Sequence, residues 1–249
     1  MKKLTINRQV EKKIHKGYKI LEKIDFGQLP FDNEVVELVT ASGHFVGTGY
    51  LSEQNKGLGW VISPKKITLD QAYFCHLFAE AKSKRQSYYQ SELDTAFRIF
   101  NQEGDGFGGL TIDLYEDYAV FSIYNAFVYQ IRDLIVAAFQ EVFPEVLGGY
   151  EKIRFKDPGY ESAHLFGQEA PETFCILENG VRYQVFLNDG LMTGIFLDQH
   201  KVRVSLVDGL ATGKTLLNMF SYKAAFSVAA AMGGELETPS VDLAKRSRA

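Results

Sequence analysis

Apolar positions along this chain recur with a period of two in some stretches and near 3.6 in others, and the switches between them divide it into three parts. In "NEVVELVTASGHFVGTGYLS" two strand-like runs flank "ASGH", a hairpin turn, and "NKGLGWVIS" adds a turn and a further strand. Residues 1–70 therefore read as short β elements in a compact β-rich module. In "DQAYFCHLFAEAKSKRQSYY" Phe74, Leu77, Phe78 and Ala81 share one helical face, and Lys82, Lys84 and Arg85 gather at its end. That cluster suits either the helix dipole or a nucleic-acid contact. "GLTIDLY" and "YAVFSIY" form a hairpin around Glu116 and Asp117, with the Gly-rich turn "EGDGFGG" before it. "FVYQIRDLIVAAFQEVFP" is an amphipathic helix stopped by Pro144, and "GGYEKIRF" is a strand. "TFCILENGVRYQVFL" is a second hairpin, with Asn179-Gly180 at its turn. Strand, strand, helix, strand, strand predicts an α+β unit with a mostly antiparallel sheet over residues 71–190.

From about Leu191 the order becomes βαβ. "FLDQHKVRVSLVDGL" reads as a helix with Asp198 as a candidate N-cap. "TLLNMF" is a buried strand, "KAAFSVAAAMGG" an Ala-rich helix ended by glycine, and "TPSVDLA" a second strand. This is the opening of a doubly wound α/β sheet over residues 191–249.

The tripeptide Gly213-Lys214-Thr215 suggests a phosphate-binding loop, and the surrounding pattern argues against one. The loop needs a glycine five residues before its second glycine, where Asp208 stands; Gly209 is one place late. It must also follow a strand and open a helix, whose terminal amides cradle phosphate. Here it follows a helix and enters a strand. Open α/β sheets bind ligands beyond the carboxyl ends of their strands. That points to the first turn, "NMFSYKAAF", with its backbone amides around Phe220 to Tyr222. It also points to Asp242 at the end of the second strand, placed to accept hydrogen bonds from ribose hydroxyls or to cap a helix beginning near Ala244. No G-x-G-x-x-G is present, so a nicotinamide dinucleotide is poorly supported.

Composition narrows the classes. An apolar fraction of 46% over 249 residues suits a globular protein. Charged residues interrupt every apolar run before membrane-spanning length, and the N-terminus lacks a secretion signal's apolar core. Cys75 and Cys175 suit a reducing cytoplasm, are too few and too far apart for zinc, and are bordered by bulky apolar residues, which predicts buried core thiols. Residues 1–24 carry eight cations against two carboxylates, a balance of +6, which leaves −10 for the rest of a chain of formal charge −4. A basic module on an acidic body fits a polyanion partner such as nucleic acid, or a solvated surface.

The stretch "TGIFLDQHKVR…LLNMFSYKAAFSVAAAMGG…SVDLAKRS" resembles bacterial S-adenosylmethionine-dependent methyltransferases of 23S ribosomal RNA, specifically the cytosine-C5 enzymes with an N-terminal PUA domain. "FRIFNQEGDGFGGLTIDLY", "HKGYKI" and "GHFVGTGYLS" are similar to the family's central and PUA segments, in the family's order. There are departures. Lys223 and Ala224 stand where the family has Thr-Gly, His200 replaces an arginine, and Gly108 replaces a proline. The family's later D-P-P segment and catalytic cysteine are not among these residues.

The resemblance implies a PUA-like RNA-binding domain at 1–70, a central α+β domain at 71–190, and the first part of a Rossmann-like methyltransferase domain, truncated, at 191–249. It implies S-adenosylmethionine as cofactor, 23S rRNA as partner, a cytoplasmic setting and a homodimer. For the cofactor it points to Asn218, Phe220, Ser221 and Tyr222 at the first turn and Asp242 at the ribose, with Gln199 and Arg203 closing the site. No catalytic residue can be named. As an isolated chain, an inactive fragment is expected, or an RNA-binding remnant that uses the PUA-like module without chemistry.

Overall fold

The computed structural model describes residues 1–26, 32–54, 57–156, 158–188 and 190–243. The first part contains β1 (Lys2–Thr5), α1 (Arg8–His15), β2 (Ile20–Leu21), β3 (Glu34–Val39), β4 (Phe45–Gln54) and β5 (Gly57–Ser63), in one sheet of order β1-β3-β4-β5-β2. The β3–β4 hairpin is the one the alternation predicts. Helix α1 departs from the all-β expectation. The Asn7 side chain caps it by accepting the Gln9 and Val10 amides, and in a short charged run it turns Val10 and Ile14, one turn apart, onto the core of the β-module.

The second part contains α2 (Gln71–Lys84), α3 (Gln86–Tyr89), β6 (Ala96–Asn101), β7 (Leu110–Tyr115), β8 (Tyr118–Ile123), α4 (Ala126–Gln130), α5 (Arg132–Val142), β9 (Gly148–Ile153) and β10 (Ser162–Gly167). The sheet runs β10-β9-β8-β7-β6, and β8 and β9 are parallel because the α4–α5 crossover returns the chain to the same end. Helix α2 buries Phe74, Leu77, Phe78 and Ala81 against the sheet and α5, as its spacing predicts. Two strands escape the sequence pattern: β6 and β10 each carry a bulge, between Arg98 and Phe100 and between His164 and Phe166, which breaks strict alternation. The hairpin β11 (Phe174–Glu178) and β12 (Val181–Val185) pairs only with itself and does not extend the sheet as expected. Its alternation also turns Cys175 outward, so that thiol is exposed and the expectation of a buried core cysteine is corrected there; Cys75 is half-buried.

The basic cluster ending α2 is committed within the protein. Lys82 donates to the Val142 carbonyl and Glu145, while Lys84 and Arg85 hold the buried Asp105 of the Gly-rich turn. Those contacts give the cluster a structural role within the protein.

The last part contains α6 (His200–Val207), β13 (Asn218–Met219), α7 (Ala225–Met232) and β14 (Ser240–Val241). Strands β13 and β14 are parallel and α7 crosses between them, the expected βαβ order. Two details differ. Asp198 lies inside a 3₁₀ turn, Leu197–Gln199, and Gln199 occupies the N-cap position of α6 without a side-chain cap. "TLLNMF" is buried on one side only: Leu217, Met219 and Phe220 are exposed, while Asn218 is buried and Leu216 half-buried against α6 and α7, because a two-stranded sheet shields one face at most. The helix expected near Ala244 lies outside the described residues. Among the described residues no helix is long and apolar enough to cross a membrane.

The first and second parts share a core. Tyr50, Trp60 and Ile62 of the β-module pack with Phe74, Phe107 and Leu110. The Tyr50 hydroxyl donates to the Gly108 carbonyl at 2.7 Å and accepts from Asn125 at 3.0 Å. The indole of Trp60 lies on Gly108, so close that a Cβ built there would stand 2.2 Å from indole Cδ2. A proline carries that Cβ too, so Gly108 and Trp60 are matched. Gly108→Ala is expected to cost about 1–3 kcal/mol, the usual penalty for overpacking, lowering the thermal midpoint followed by circular dichroism; an unchanged midpoint would show the indole free to move aside.

Candidate functional site

The turn between β13 and α7 has unusual backbone. Phe220, Tyr222 and Ala224 all have positive φ, at 57°, 51° and 59°. Left-handed conformations cost side-chain-bearing residues on the order of 1–2 kcal/mol each, and three alternate ones persist only if neighbouring contacts hold them. Those contacts are present. The Ser221 amide donates to the Val241 carbonyl at 3.1 Å, the Tyr222 amide to Asp242 Oδ2 at 2.8 Å, and the Ala224 amide to the Ser221 carbonyl at 2.7 Å. Asn218 is buried and donates to Ser227 Oγ, which also meets Ser240 Oγ, so β13, α7 and β14 are tied below the turn.

The structure thus brings Ser221, Tyr222 and Asp242 together, with Asn218 beneath them. Phe220 projects outward, 83% exposed. The amides of Phe220 and Lys223 find no acceptor among the described residues, and the first amides of α7 follow directly. Unsatisfied amides at a turn leading into a helix N-terminus suit an anionic or strongly accepting ligand group.

The turn rests on the segment before α6. The Tyr222 hydroxyl accepts the Gly194 amide at 3.0 Å, its ring lies 5.5 Å from that of Phe196, and the Lys223 ammonium sits 5.9 Å from the Phe186 ring. Gln199 is exposed on this segment, and its side chain makes no hydrogen bond. Arg203 is in a different position from the one its residue type suggests. Only 1% exposed, it makes paired bonds to the buried Glu178 carboxylate, donates to the Phe196 carbonyl at 2.7 Å, and lies 5.5 Å from the Phe226 ring. It is not open to a ligand. It braces the wall on which Tyr222 leans. Glu178 was not foreseeable: an acidic residue beside an Asn-Gly turn ordinarily faces water.

His200 has a carboxylate partner. Its Nε2 stands 2.9 Å from Asp94, which also accepts the Asn179 amide and the Ser91 hydroxyl. Burial alone would raise the Asp94 pKa; the Asn179 amide, His200 and Ser91 together outweigh it and hold the carboxyl below its ordinary value. A cavity of about 90 Å³ lies behind the same segment, bordered by Thr193, Phe196 and Asp198 and by the Arg98–Asp113 pair, whose bonds measure 2.7 and 3.0 Å. Tyr115 closes it with a 2.9 Å bond to Thr193.

Comparison with known proteins agrees with this geometry. Residues 4–64 match the PUA-like domain family, and residues 152–248 match the S-adenosylmethionine-dependent methyltransferase family. A Bacillus subtilis (strain 168) protein provisionally named ribosomal RNA large subunit methyltransferase YwbD is 42% identical over 258 aligned residues, covering 100% of this chain and 65% of the relative. Ribosomal RNA large subunit methyltransferase I of Aeromonas salmonicida (strain A449) is 32% identical, covering 87% of this chain and 56% of that protein. Two solved structures each align over the whole chain with 60% identity and a TM-score of 0.96. One is a provisionally named SAM-dependent methyltransferase from Streptococcus mutans, covered to 65%; the other is SMU.776, provisionally named a methyltransferase and complexed with SAH, covered to 64%. The chain therefore spans about two thirds or less of these relatives. The cofactor of the matched family is S-adenosylmethionine, and the open amides of the turn with the carboxylate at the end of β14 are groups such a ligand can use.

Two substitutions separate the forces at this site. Ala224→Gly removes the Cβ from a left-handed position and is expected to stabilise the protein by up to about 1 kcal/mol, seen as a higher denaturant midpoint. Arg203→Ala leaves a buried carboxylate unpaired and should cost about 3–5 kcal/mol, most of it recovered when Glu178→Leu is added. A double variant no more stable than Arg203→Ala would mean that the packing of Arg203, rather than its charge, is what matters.

Proposed function

We propose that this chain, which carries a PUA-like domain and S-adenosylmethionine-dependent methyltransferase residues and is homologous to ribosomal RNA large subunit methyltransferases, holds the cofactor at the turn of residues 218–224 and binds RNA beside it. The observation that carries the reading is the parallel βαβ unit. Its first turn has unsatisfied amides, and its second strand ends in a carboxylate bonded to that turn. The amides of Phe220 and Lys223 and the start of α7 receive the acceptor groups of the amino-acid end of the cofactor. Asp242, whose carboxylate holds the turn through the Tyr222 amide at the end of β14, receives the ribose hydroxyls. Phe220, Ser221 and Tyr222 shape the turn, Asn218 fixes its base, and Gln199 stands at its rim. Arg203 acts only as a positioning residue, through Phe196.

When bound, the sulfonium of the cofactor supplies the methyl group. The reading includes cytosine C5 of 23S rRNA as acceptor. That reaction needs a thiolate to add to C6 of the ring, which makes C5 nucleophilic. Neither cysteine of this chain suits the task. Cys75 lies on α2, where its thiol donates to the Ala138 carbonyl, and burial together with Glu141 raises its pKa. Cys175 is exposed on the outward face of the β11–β12 hairpin, opposite Gln184. These 249 residues alone are therefore read as binding cofactor and RNA without transferring methyl. A homodimer and a cytoplasmic setting belong to the same proposal.

Titration calorimetry tests it. The chain is expected to bind S-adenosylhomocysteine, and Asp242→Ala to weaken binding at least tenfold; a chain that binds none would overturn the cofactor reading. Incubation with tritiated S-adenosylmethionine and 23S rRNA should leave no label in the RNA. Labelled cytosine would refute the argument from the two cysteines.

A further inference from the structure

A second cleft, of about 850 Å³, lies between the N-terminal β-module and the central sheet. A volume of this order accommodates a nucleotide-sized ligand. One wall comes from the β-module, with Trp60 in it; the other comes from Tyr124 after β8 and from Arg154, Phe155 and Lys156 after β9. Some cations near the cleft are paired with carboxylates and others are not. In the β-module, Lys2, Lys13 and Lys66 face acidic partners, and Lys23 in this cleft is paired with Glu53. Among the described residues Lys156 has no acidic partner, and Arg154 donates only to the Leu191 carbonyl. Asp32, also in the cleft, bonds to Asn33. Two exposed cations without an acidic partner among the described residues, Arg154 and Lys156, therefore flank Phe155 in the bend that follows β9.

The cleft leads somewhere specific. Tyr124 and Arg154 line both it and the smaller cavity behind Thr193 and Phe196, so they form the boundary between the two. Arg154, Phe155 and Lys156 also border a third opening, of about 510 Å³, beside Leu191. The path therefore runs from the β-module, past two cations without an acidic partner among the described residues and two half-buried aromatic rings, to the segment that supports Tyr222. In addition, the indole N–H of Trp60 is buried without a partner.

We propose that this cleft takes an unpaired stretch of RNA, with its phosphates on Arg154 and Lys156 and its bases against Tyr124 and Phe155, and delivers it toward the turn of residues 218–224. The proposal rests on the RNA reading above and adds the surface and the strandedness. Cations alternating with aromatic rings suit a single strand, whose bases are free to stack on side chains; in a duplex those faces are already stacked on one another. The basic N-terminal face, with Lys3, Lys12 and Lys16 exposed, is the competing surface.

Fluorescence anisotropy on the full chain tests this with a labelled mixed-sequence single-stranded RNA and a duplex of the same length. The single strand is expected to bind more tightly. Lys156→Glu, which breaks no ion pair or hydrogen bond among the described residues, combined with Arg154→Glu should weaken single-strand binding at least tenfold. The log-affinity against log-salt slope should fall by about 0.7 for each phosphate that is no longer neutralised. Tyr124→Ala with Phe155→Ala should lower affinity by about tenfold while leaving the salt slope unchanged. Lys3→Glu with Lys12→Glu and Lys16→Glu should have the smaller effect. Thermal midpoints and S-adenosylhomocysteine binding report whether each variant is folded, and Lys156→Glu alone, expected to cost several-fold, replaces any that is not. If wild type binds RNA and the cleft variants bind equally well, or if only the N-terminal variant loses binding, the cleft is refuted while the RNA reading stands. A preference for duplex refutes the single-strand assignment. A wild-type chain that binds no RNA refutes both.

Discussion

The ion pair between Arg203 and Glu178 joins more of this protein than any other contact at the candidate site. Two charges are taken almost entirely out of water there, at a desolvation cost of several kcal/mol per ion. Paired geometry and the Phe196 carbonyl offset that cost. Four elements meet at the guanidinium: helix α6, which carries it; the hairpin, which supplies Glu178; the segment through Phe196; and α7, whose Phe226 ring lies beside it. Because Tyr222 leans on Phe196 and Gly194, the position of the turn depends on a charge that never reaches its surface. The pair serves to fix one arrangement, since an apolar replacement of similar shape could be at least as stable.

Around that anchor, polar satisfaction and exposure are unevenly divided. The backbone below the turn is bonded at each step, through Asn218, Ser227, Ser240 and the Val241 carbonyl. Above it, amides are open and Phe220 stands in solvent. A turn held in left-handed conformations by its own supports has already lost much of the freedom that binding would otherwise have to remove. Within the turn the Ala224 amide donates to the Ser221 carbonyl and the Lys223 ammonium lies beside the Phe186 ring. The cost at Ala224 lies in its left-handed backbone.

Much of the fold was legible because it rests on local period. The buried face of α2, the β3–β4 and β11–β12 hairpins and the βαβ order follow from spacing and turn residues. What the sequence hid was mostly non-local. Strands β6 and β10 are bulged, and α1 presents only Val10 and Ile14 in a short charged run. The pattern also could not tell which neighbour a strand would cover, so "TLLNMF" read as buried and Cys175 as core. At the candidate site, strand order pointed to Tyr222 and Asp242. The roles of Glu178, Phe196 and Gly194 depend on elements distant in sequence meeting in space, which no spacing rule encodes. Arg203 shows the limit most plainly. An arginine near a ligand site suggests recognition, and here it is a buried brace.

The indole of Trp60 resting on Gly108 has a consequence for how the protein comes apart. A module hung on a linker would melt by itself and swing freely while folded. Here Tyr50, Trp60 and Ile62 belong to the same hydrophobic cluster as the phenylalanines of the central sheet, so separating the two would expose the interior of both. Loss of structure in one should therefore bring down the other in a single cooperative step. The β-module is then a fixed arm rather than a tether, and the span from it to the turn of residues 218–224 becomes a built-in length against which a bound strand is measured.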